Sequence, residues 1–309
     1  MKFQRYAHNP ILEPTNNWWE RLAVFNPAAV CHDGRVHLLY RAVGDDHISR
    51  FGYASSPDGF HFDIRSPGPV MESDTYDPYE RLGCEDPRIT LINGRFYITY
   101  TAASVYNASC PPTLGYDGAP WRVRAALAST QDFKTFERHG VILSDTDSKN
   151  AALFPEMING RYALLHRIYP NLWICSSDDL LHWDNHHVVI EPREGAWDCC
   201  KVGAGAPPMK TDLGWLEFYH GVSETGVYGL GILLMDLADP RKILYRSNSP
   251  ILIPDCEFEK EGEVPNVVFT CGAVEKDGRY LVYYGCADRA IGVAMIDRDE
   301  LHREMAKSL

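Results

Sequence analysis

Two acidic side chains and a cation flank a proline in the segment from Gly83 to Thr90, which reads Gly-Cys-Glu-Asp-Pro-Arg-Ile-Thr. Pro87 disfavours a helical conformation at the residue before it, so the segment predicts an extended Asp86. A carboxyl group held in this way beside other charges is a candidate general acid. A surface turn would explain the same residues equally well, so the assignment depends on what else the fold brings to them.

Further charged and polar residues recur near equivalent places along the chain. One set closes or follows short aromatic-rich segments and contains Arg41, His166, Arg167, His220 and Asp288. A second set is basic and contains Arg124, Lys149 and Lys201. Because the formal net charge of the chain is −12, cations gathered in one cavity would create a local anion site. The two sets predict a cluster that joins an acid to an anion site.

A pattern that predicts the elements positioning these residues occurs five times in the sequence. Each copy is a turn containing glycine, followed by a short aromatic-rich strand; the glycines are Gly34, Gly94, Gly160, Gly214 and Gly278. They lie 54 to 66 residues apart, and four of them follow Asn or Asp, as in a β-hairpin. Such repetition predicts an all-β fold, a five-bladed β-propeller. Its inner strands surround one axis, so residues far apart in sequence can share a pocket.

The predicted propeller occupies residues 1–309 as a single catalytic domain, because no linker composition interrupts the chain. The only predicted helix is a short one at the end of the chain, from Asp299 to Ser308. The longest irregular segment, from Ser109 to Pro120, is predicted to be a long loop over one face, where functional loops often lie.

Composition excludes several classes of function. The net charge of −12 argues against nucleic acid as a partner. No apolar run is long enough for a membrane helix, and nine cysteines without a framework spacing predict a cytoplasmic protein. The pair Cys199 and Cys200 cannot supply a zinc site alone, so buried thiols are the simpler interpretation. No metal is predicted, because no ligand spacing is visible among His8, His32, His186 and His187.

Seven stretches, in order over nearly the whole chain, resemble glycoside hydrolase family 130, the β-mannoside phosphorylases. They are Phe25 to Ala28, Leu39 to Ala42, Gly83 to Thr90, Lys149 to Glu156, Trp197 to Pro208, Tyr219 to Val222 and Tyr284 to Asp288. The family fold is a five-bladed β-propeller, in agreement with the repeats.

The resemblance implies roles for individual residues. It places the general acid on Asp86. It assigns substrate binding to Asn26, Arg41 and Asp288, with Glu85 added as the neighbour of the acid. It assigns phosphate binding to Lys201, His220 and Arg124, with Arg122 as an open alternative to Arg124. Aromatic candidates for sugar stacking are Trp18, Trp19, Tyr79 and Tyr106.

The implied reaction is inverting phosphorolysis of a β-mannoside to α-mannose 1-phosphate. Inorganic phosphate is the co-substrate, no cofactor is needed, and the proton of Asp86 is expected to pass through a mannose hydroxyl. The substrate is expected to be a manno-oligosaccharide or mannosyl-N-acetylglucosamine. The linkage (β-1,4 or β-1,2) stays open, as does the acceptor sugar among glucose, mannose and N-acetylglucosamine. Family members often associate, which leaves a homo-oligomer open.

Two alternatives remain at this stage. A β-mannosidase on the same fold would need a second carboxylate as general base, for which Glu85, Glu156 and Glu263 are the candidates. A non-catalytic propeller that binds sugar or protein is the other, since the fold alone does not determine function. Lys201 and His220 argue against the hydrolase, and Asp86 argues against the binding module.

Overall fold

The computed structural model describes residues 3–106, 120–307 and 309, most of which lie in strands and turns. The predicted all-β fold is confirmed. Of the predicted long loop, residues 109–119 lie outside the described residues.

The described strands form successive antiparallel units along the chain. A short strand, β1 (Gln4–Arg5), comes before them. The first unit contains β2 (Ala23–His32), β3 (Arg35–Val43), β4 (Ser49–Ser56) and β5 (Ile64–Arg65). The second unit contains β6 (Gly83–Ile92), β7 (Arg95–Val105), β8 (Trp121–Thr130) and β9 (Phe136–Val141). The third unit contains β10 (Lys149–Leu153), β11 (Tyr162–Ile168), β12 (Asn171–Ser177) and β13 (Trp183–Ile190).

The remaining described strands complete two further units. The fourth contains β14 (Lys201–Gly203), β15 (Met209–Thr211), β16 (Gly214–Val222), β17 (Tyr228–Met235) and β18 (Ile243–Arg246). The fifth contains β19 (Val268–Lys276), β20 (Arg279–Cys286) and β21 (Ala290–Asp297). Strand β1 pairs with β21, so the start of the chain supplies the fourth strand of the last unit.

Local turn chemistry explains the hairpins between the first two long strands of four units. Asp33, Asn93, Asn159 and Asp277 have φ between 47° and 52°, and the glycine after each has φ between 73° and 80°. Two consecutive residues with positive φ are the geometry that Asn-Gly and Asp-Gly favour. The predicted hairpins are therefore present at all four of these sites.

The apolar core consists of layers between consecutive units. Buried residues of the first and second units pack together, and the same holds for the second with the third, the third with the fourth and the fourth with the fifth. A further layer joins the fifth unit to the first, with Val274 and Ile291 packed among residues that include Val36 and Leu38. The units therefore close into a ring, as the propeller prediction requires.

A buried carboxylate, a tyrosine and an arginine meet in four units, and we call each such group a triad. The tyrosine hydroxyl donates a hydrogen bond to the carboxylate, and the arginine forms an ion pair with it. The triads are Glu20–Tyr40–Arg65, Glu80–Tyr100–Arg138, Asp198–Tyr219–Arg246 and Glu259–Tyr284–Arg5. The four carboxylates are between 0 and 5 % exposed. Each triad thus ties the segment before an inner strand to an outer strand.

The structure contains two helices within its described residues. Helix α2 (Arg298–Ala306) confirms the predicted C-terminal helix, and the Asp297 side chain caps it by accepting a hydrogen bond from the Glu300 amide. Helix α1 (Glu257–Lys260) was not predicted, because one turn leaves no periodic apolar pattern. Neither helix is long and apolar enough to cross a membrane.

We expect Asp198→Ala to lower the free energy of unfolding by about 3–5 kcal/mol, because two guanidinium groups and the Tyr219 hydroxyl would lose a buried partner. Asp178→Ala is the matched control, since Asp178 pairs with Arg161 while 79 % of its side chain is exposed. Urea denaturation of both variants measures the difference. Equal small losses would show that the triads do not stabilise the ring.

Candidate active site

A cavity of about 180 Å³ opens where the inner ends of the units meet. Its polar wall consists of Asn26, Arg41, Glu85, Asp86, Lys149, Asn150, Arg167, Lys201, Tyr228 and Asp288, and its apolar wall of Val264, Val267 and Phe269. Every unit contributes at least one of these residues. The cavity is smaller than sites for drug-sized ligands, which measure about 300–1,000 Å³, so it accepts only small polar groups.

Bulges in the inner strands direct three of these side chains into the cavity. Asn26, Asp86 and Asn150 have φ of 46°, 51° and 57°. Each lies at a shift of register, in β2, β6 and β10 respectively. A bulge adds a residue to one strand and re-aims a side chain. The prediction of an extended Asp86 is therefore wrong, because the bulge places this residue in the left-handed region despite the proline that follows it.

The predicted acid is held by two of the predicted substrate-binding residues. Asp86 Oδ1 accepts a hydrogen bond of 2.9 Å from Asn26 Nδ2 and one of 3.4 Å from Arg41 Nη1. Arg41 also donates to Glu85 Oε1 at 2.7 Å and to Ser49 Oγ at 2.8 Å. One guanidinium thus orients both carboxylates, and its position is fixed by a neighbouring strand.

The carboxyl groups of Asp86 and Asp288 differ in their electrostatic surroundings. Burial alone would raise the pKa of Asp86, but Arg41, the hydrogen bond from Asn26 and Arg88 outweigh it, so the pKa lies below its ordinary value. Burial raises the pKa of Asp288 to about 7, and the negative charges of Asp86 and Glu85 add to this effect. At neutral pH, Asp86 is ionised and Asp288 is partly protonated.

Besides Arg41, three further cations line the cavity beside these carboxyl groups. Lys149 and Arg167 are directly paired on β10 and β11. Lys201 begins β14, and its Nζ lies 5.1 Å from the centre of the Tyr228 ring. The structure therefore brings Lys201 and Lys149 of the predicted basic set to the cavity wall, and it adds Arg167. Cations on several strands around an enclosed site are suited to holding a phosphate dianion.

Two other predicted phosphate ligands do not line the cavity. Arg124 is 2 % exposed and forms an ion pair with Asp147. The alternative, Arg122, donates to Ser104 Oγ at 3.0 Å and stacks on Tyr79. The sequence alone could not show this, because the position of β8 relative to the strands of the other units is not evident from its residues. Their role in phosphate binding stays a prediction.

His220 lies immediately behind the cavity wall. Its imidazole is fully buried, and its Nε2 lies 3.4 Å from Asn150 Nδ2. Burial, together with the charges of Arg167 and Arg88, lowers the pKa of His220 well below its ordinary value, so the ring is neutral at neutral pH. His220 is therefore placed to orient Asn150, and a direct contact with phosphate stays a prediction.

Arg88 and Glu217 form a buried connection that sequence reasoning did not assign. Arg88 donates to the backbone oxygens of Asp86, Ala204 and Gly205 at 2.9, 3.0 and 2.7 Å. Glu217 accepts from the Gly205 amide at 2.8 Å, and burial raises its pKa to about 8. A side chain at Gly205 would collide with the Phe218 carbonyl oxygen, which explains the glycine. The strand that bears the acid is thereby locked to the segment after Lys201.

The aromatic residues predicted to stack on sugar are not in the cavity wall. Trp19 is 2 % exposed and stacks on Tyr40 within the core, so it is unavailable. Trp18 is half-exposed and lies over Arg50. The aromatic side chains that the described part of the chain places in the wall are Tyr228 and Phe269. Neither belongs to a motif with a recognisable spacing.

Comparisons with known proteins point to one family. A family model described as β-1,4-mannooligosaccharide phosphorylase (glycoside hydrolase family 130) matches residues 4–306. A 1,2-β-oligomannan phosphorylase of Thermoanaerobacter sp. (strain X514) is 43% identical over 97% of this chain and 99% of its own. A β-1,4-mannooligosaccharide phosphorylase of Ruminococcus albus is 32% identical over 96% and 89%. The solved β-1,2-mannobiose phosphorylase of Listeria innocua, in complex with β-1,2-mannobiose, superposes with a TM-score of 0.85 at 28% identity, over 99% of each chain.

We expect one carboxyl group to titrate near pH 7 and to vanish from the carboxyl NMR spectrum in Asp288→Asn. In Asp86→Asn the same titration should move to lower pH, because a negative charge that raises the pKa of Asp288 is gone. Carbon-13 NMR of aspartate-labelled protein measures both shifts. An unmoved titration in Asp86→Asn would show that the two groups are not coupled.

Proposed function

The chain belongs to glycoside hydrolase family 130, and from this premise we propose that it is an inverting β-mannoside phosphorylase. The products are α-mannose 1-phosphate and the shortened sugar. The observation that carries the proposal is the cavity, in which Asp86 faces the same space as Lys149, Arg167 and Lys201.

The proposed reaction needs one protein acid and one bound anion. An oxygen of hydrogen phosphate attacks the anomeric carbon of the terminal mannosyl unit, opposite the glycosidic oxygen, and the carbon–oxygen bond to the leaving sugar breaks. The leaving oxygen takes the proton of Asp86, relayed by a mannose hydroxyl. The proton that the phosphate loses on forming the ester restores Asp86. Asn26, Arg41 and Asp288 are proposed to hold the mannosyl unit, with Glu85 fixing Arg41.

Electrostatics link phosphate binding to the acidity of Asp86. Arg41, Arg88 and Lys149 keep the pKa of Asp86 low while the cavity holds no anion. A phosphate dianion among Lys149, Arg167 and Lys201 would offset part of this positive charge and raise that pKa. Asp86 then becomes a proton donor when the nucleophile is in place. A low pKa in the free protein is therefore compatible with the role of general acid.

The positions of the carboxylates favour phosphorolysis over hydrolysis. A hydrolase needs a second carboxylate that activates water. Of the three candidate bases, Glu156 is exposed and pairs with Lys210, and Glu263 is exposed outside the cavity wall. Glu85 lines the cavity, but it is paired with Arg41. Three cations in the same wall support phosphate as the nucleophile instead.

We further propose that the substrate is a β-1,2-linked manno-oligosaccharide. The relative at 43% identity carries the β-1,2 name, whereas the β-1,4 relative is at 32%. A cytoplasmic location is proposed as well, since eight cysteines of the described residues are free.

Purified protein with β-1,2-mannobiose or β-1,2-mannotriose should release mannose 1-phosphate only when phosphate is added. Asp86→Asn should lower kcat at least about 100-fold, because the leaving oxygen loses its proton donor. Glu156→Gln, which changes an exposed carboxylate, should retain full activity. Free mannose released at the same rate without phosphate would contradict the proposal.

Arg167→Ala should raise the KM for phosphate at least about 10-fold, because a charge-assisted contact to the dianion is lost. Arg124→Ala removes a buried arginine of β8. We expect it to lower the melting temperature with little change in the KM for phosphate. Steady-state kinetics with varied phosphate, alongside thermal unfolding, separates the two effects. The reverse pattern would restore Arg124 as the phosphate ligand.

A further inference from the structure

The third unit lacks the triad that the other four units contain in the described part of the chain. In the first, second and fifth units, the sixth residue after the hairpin glycine is the triad tyrosine, and in the third unit it is His166. The triad arginines belong to the outermost strands β5, β9, β18 and β1, and in the third unit the outermost strand β13 supplies His186. Two imidazoles thus occupy the place of a hydroxyl and a guanidinium.

The two imidazoles meet a thiol on the strand between them. His166 Nε2 lies 3.1 Å from His186 Nδ1. Cys175 on β12 is 1 % exposed, and the ligand atoms of all three residues lie within 4.8 Å of one another. His166 is fully buried, whereas His186 is exposed. Two of the three side chains are therefore buried, and the third, His186, is accessible to solvent.

A bulge in β13 brings His186 to this position. Ile174 pairs with His187 and Ser176 with Asp184, so two residues of β13 stand opposite Cys175 alone. The extra residue, Asn185, has φ of 53°. Bulges of this kind bend a strand and redirect a side chain, and they concentrate at functional sites. Without the extra residue, His186 would point away from Cys175.

The distance between the two histidine nitrogens is close to the one that tetrahedral zinc requires. Zn²⁺ binds histidine nitrogen at about 2.0–2.1 Å and cysteine sulfur at about 2.3 Å, so tetrahedral geometry places two nitrogens about 3.3 Å apart and nitrogen and sulfur about 3.6 Å apart. The observed nitrogen–nitrogen distance of 3.1 Å differs from this by a shift that side-chain rotation supplies. The sulfur lies within 4.8 Å of the two histidine ligand atoms, so zinc binding requires it to come to about 3.6 Å from each nitrogen.

We propose that His166 Nε2, Cys175 Sγ and His186 Nδ1 form a binding site for one Zn²⁺ ion, with water as the fourth ligand. Ser148 Oγ lies 3.1 Å from His166 Nδ1 and can accept a hydrogen bond from it, which would leave Nε2 available to the metal. When zinc binds, the Cys175 thiol releases its proton to solvent. The proton between the two imidazoles, carried by His186 Nδ1, moves to Nε2 of the same ring. Asp184 is paired with Arg161 and is not part of the ligand set.

The zinc site is separate from the catalytic cavity, but both have residues on β11. Ser148 and His166 immediately precede Lys149 and Arg167, which line the cavity. Phosphorolysis as proposed makes no use of the metal. The ion instead supplies to the third unit the cross-strand tie that the triads supply elsewhere.

The test is Zn²⁺ titration of the metal-free full chain in competition with a chromophoric chelator, repeated for His186→Ala and His187→Ala. Both residues are exposed neighbours on β13, so neither change disturbs the core. We expect one tight site in the wild type and in His187→Ala, and at least about 100-fold weaker binding in His186→Ala. Equal affinity in the two variants, or no tight site in the wild type, would overturn the proposal.

Co²⁺ substitution identifies the sulfur ligand. The wild-type complex should show a thiolate-to-cobalt charge-transfer band, and Cys175→Ala should lack it. The Cys199→Ser/Cys200→Ser double variant should retain the band, which excludes the vicinal pair as the source. A band that disappears in the double variant and persists in Cys175→Ala would place the metal at Cys199 and Cys200 and refute this site.

Discussion

A carboxylate removed from water has to be paired, and four buried pairings of this kind underlie the arrangement of the catalytic cavity. Each triad carboxylate lies in the segment that leads into an inner strand. Three of them, Glu20, Glu80 and Asp198, precede the first residue of β2, β6 and β14 by three positions. The hydroxyl and guanidinium that pair with the carboxylate come from other strands of the same unit. The point at which each of these inner strands begins is therefore fixed in three dimensions.

The cavity residues follow from those starting points. Asn26, Asp86 and Lys201 lie within six residues after a triad carboxylate, so a shift of the anchored segment would move the proposed acid, the amide that contacts it and a proposed phosphate-binding cation. Arg88 further restrains these positions, because its guanidinium hydrogen-bonds both the backbone of Asp86 and the segment after Lys201. The electrostatic balance between acid and anion site depends on this rigidity, since Coulomb energies change steeply with distance in a buried site.

Features that local chemistry determines could be predicted from the sequence. Two adjacent residues are enough to predict each Asp-Gly or Asn-Gly hairpin. The cluster of Asn26, Arg41, Glu85, Asp86 and Asp288 is predicted by the resemblance of seven stretches, in order, to the family. Features that depend on pairing between strands could not. The positive φ of Asp86 comes from a bulge, and the presence of Arg167 in the cavity wall, where Arg124 or Arg122 was predicted, depends on how strands of different units lie relative to one another. His186 showed no ligand spacing, because its neighbours come from two other strands.

The pairing of β1 with β21 constrains the order in which the protein folds. Arg5 pairs with Ala294, so β1 stays without its partner strand until β21 has been synthesised. Contacts between such distant residues form late in folding, because a long chain segment must be closed first. The cavity draws its walls from every unit, and it is incomplete until that closure. A nascent or truncated chain can therefore contain most of the side chains of the cavity wall and still lack the cavity.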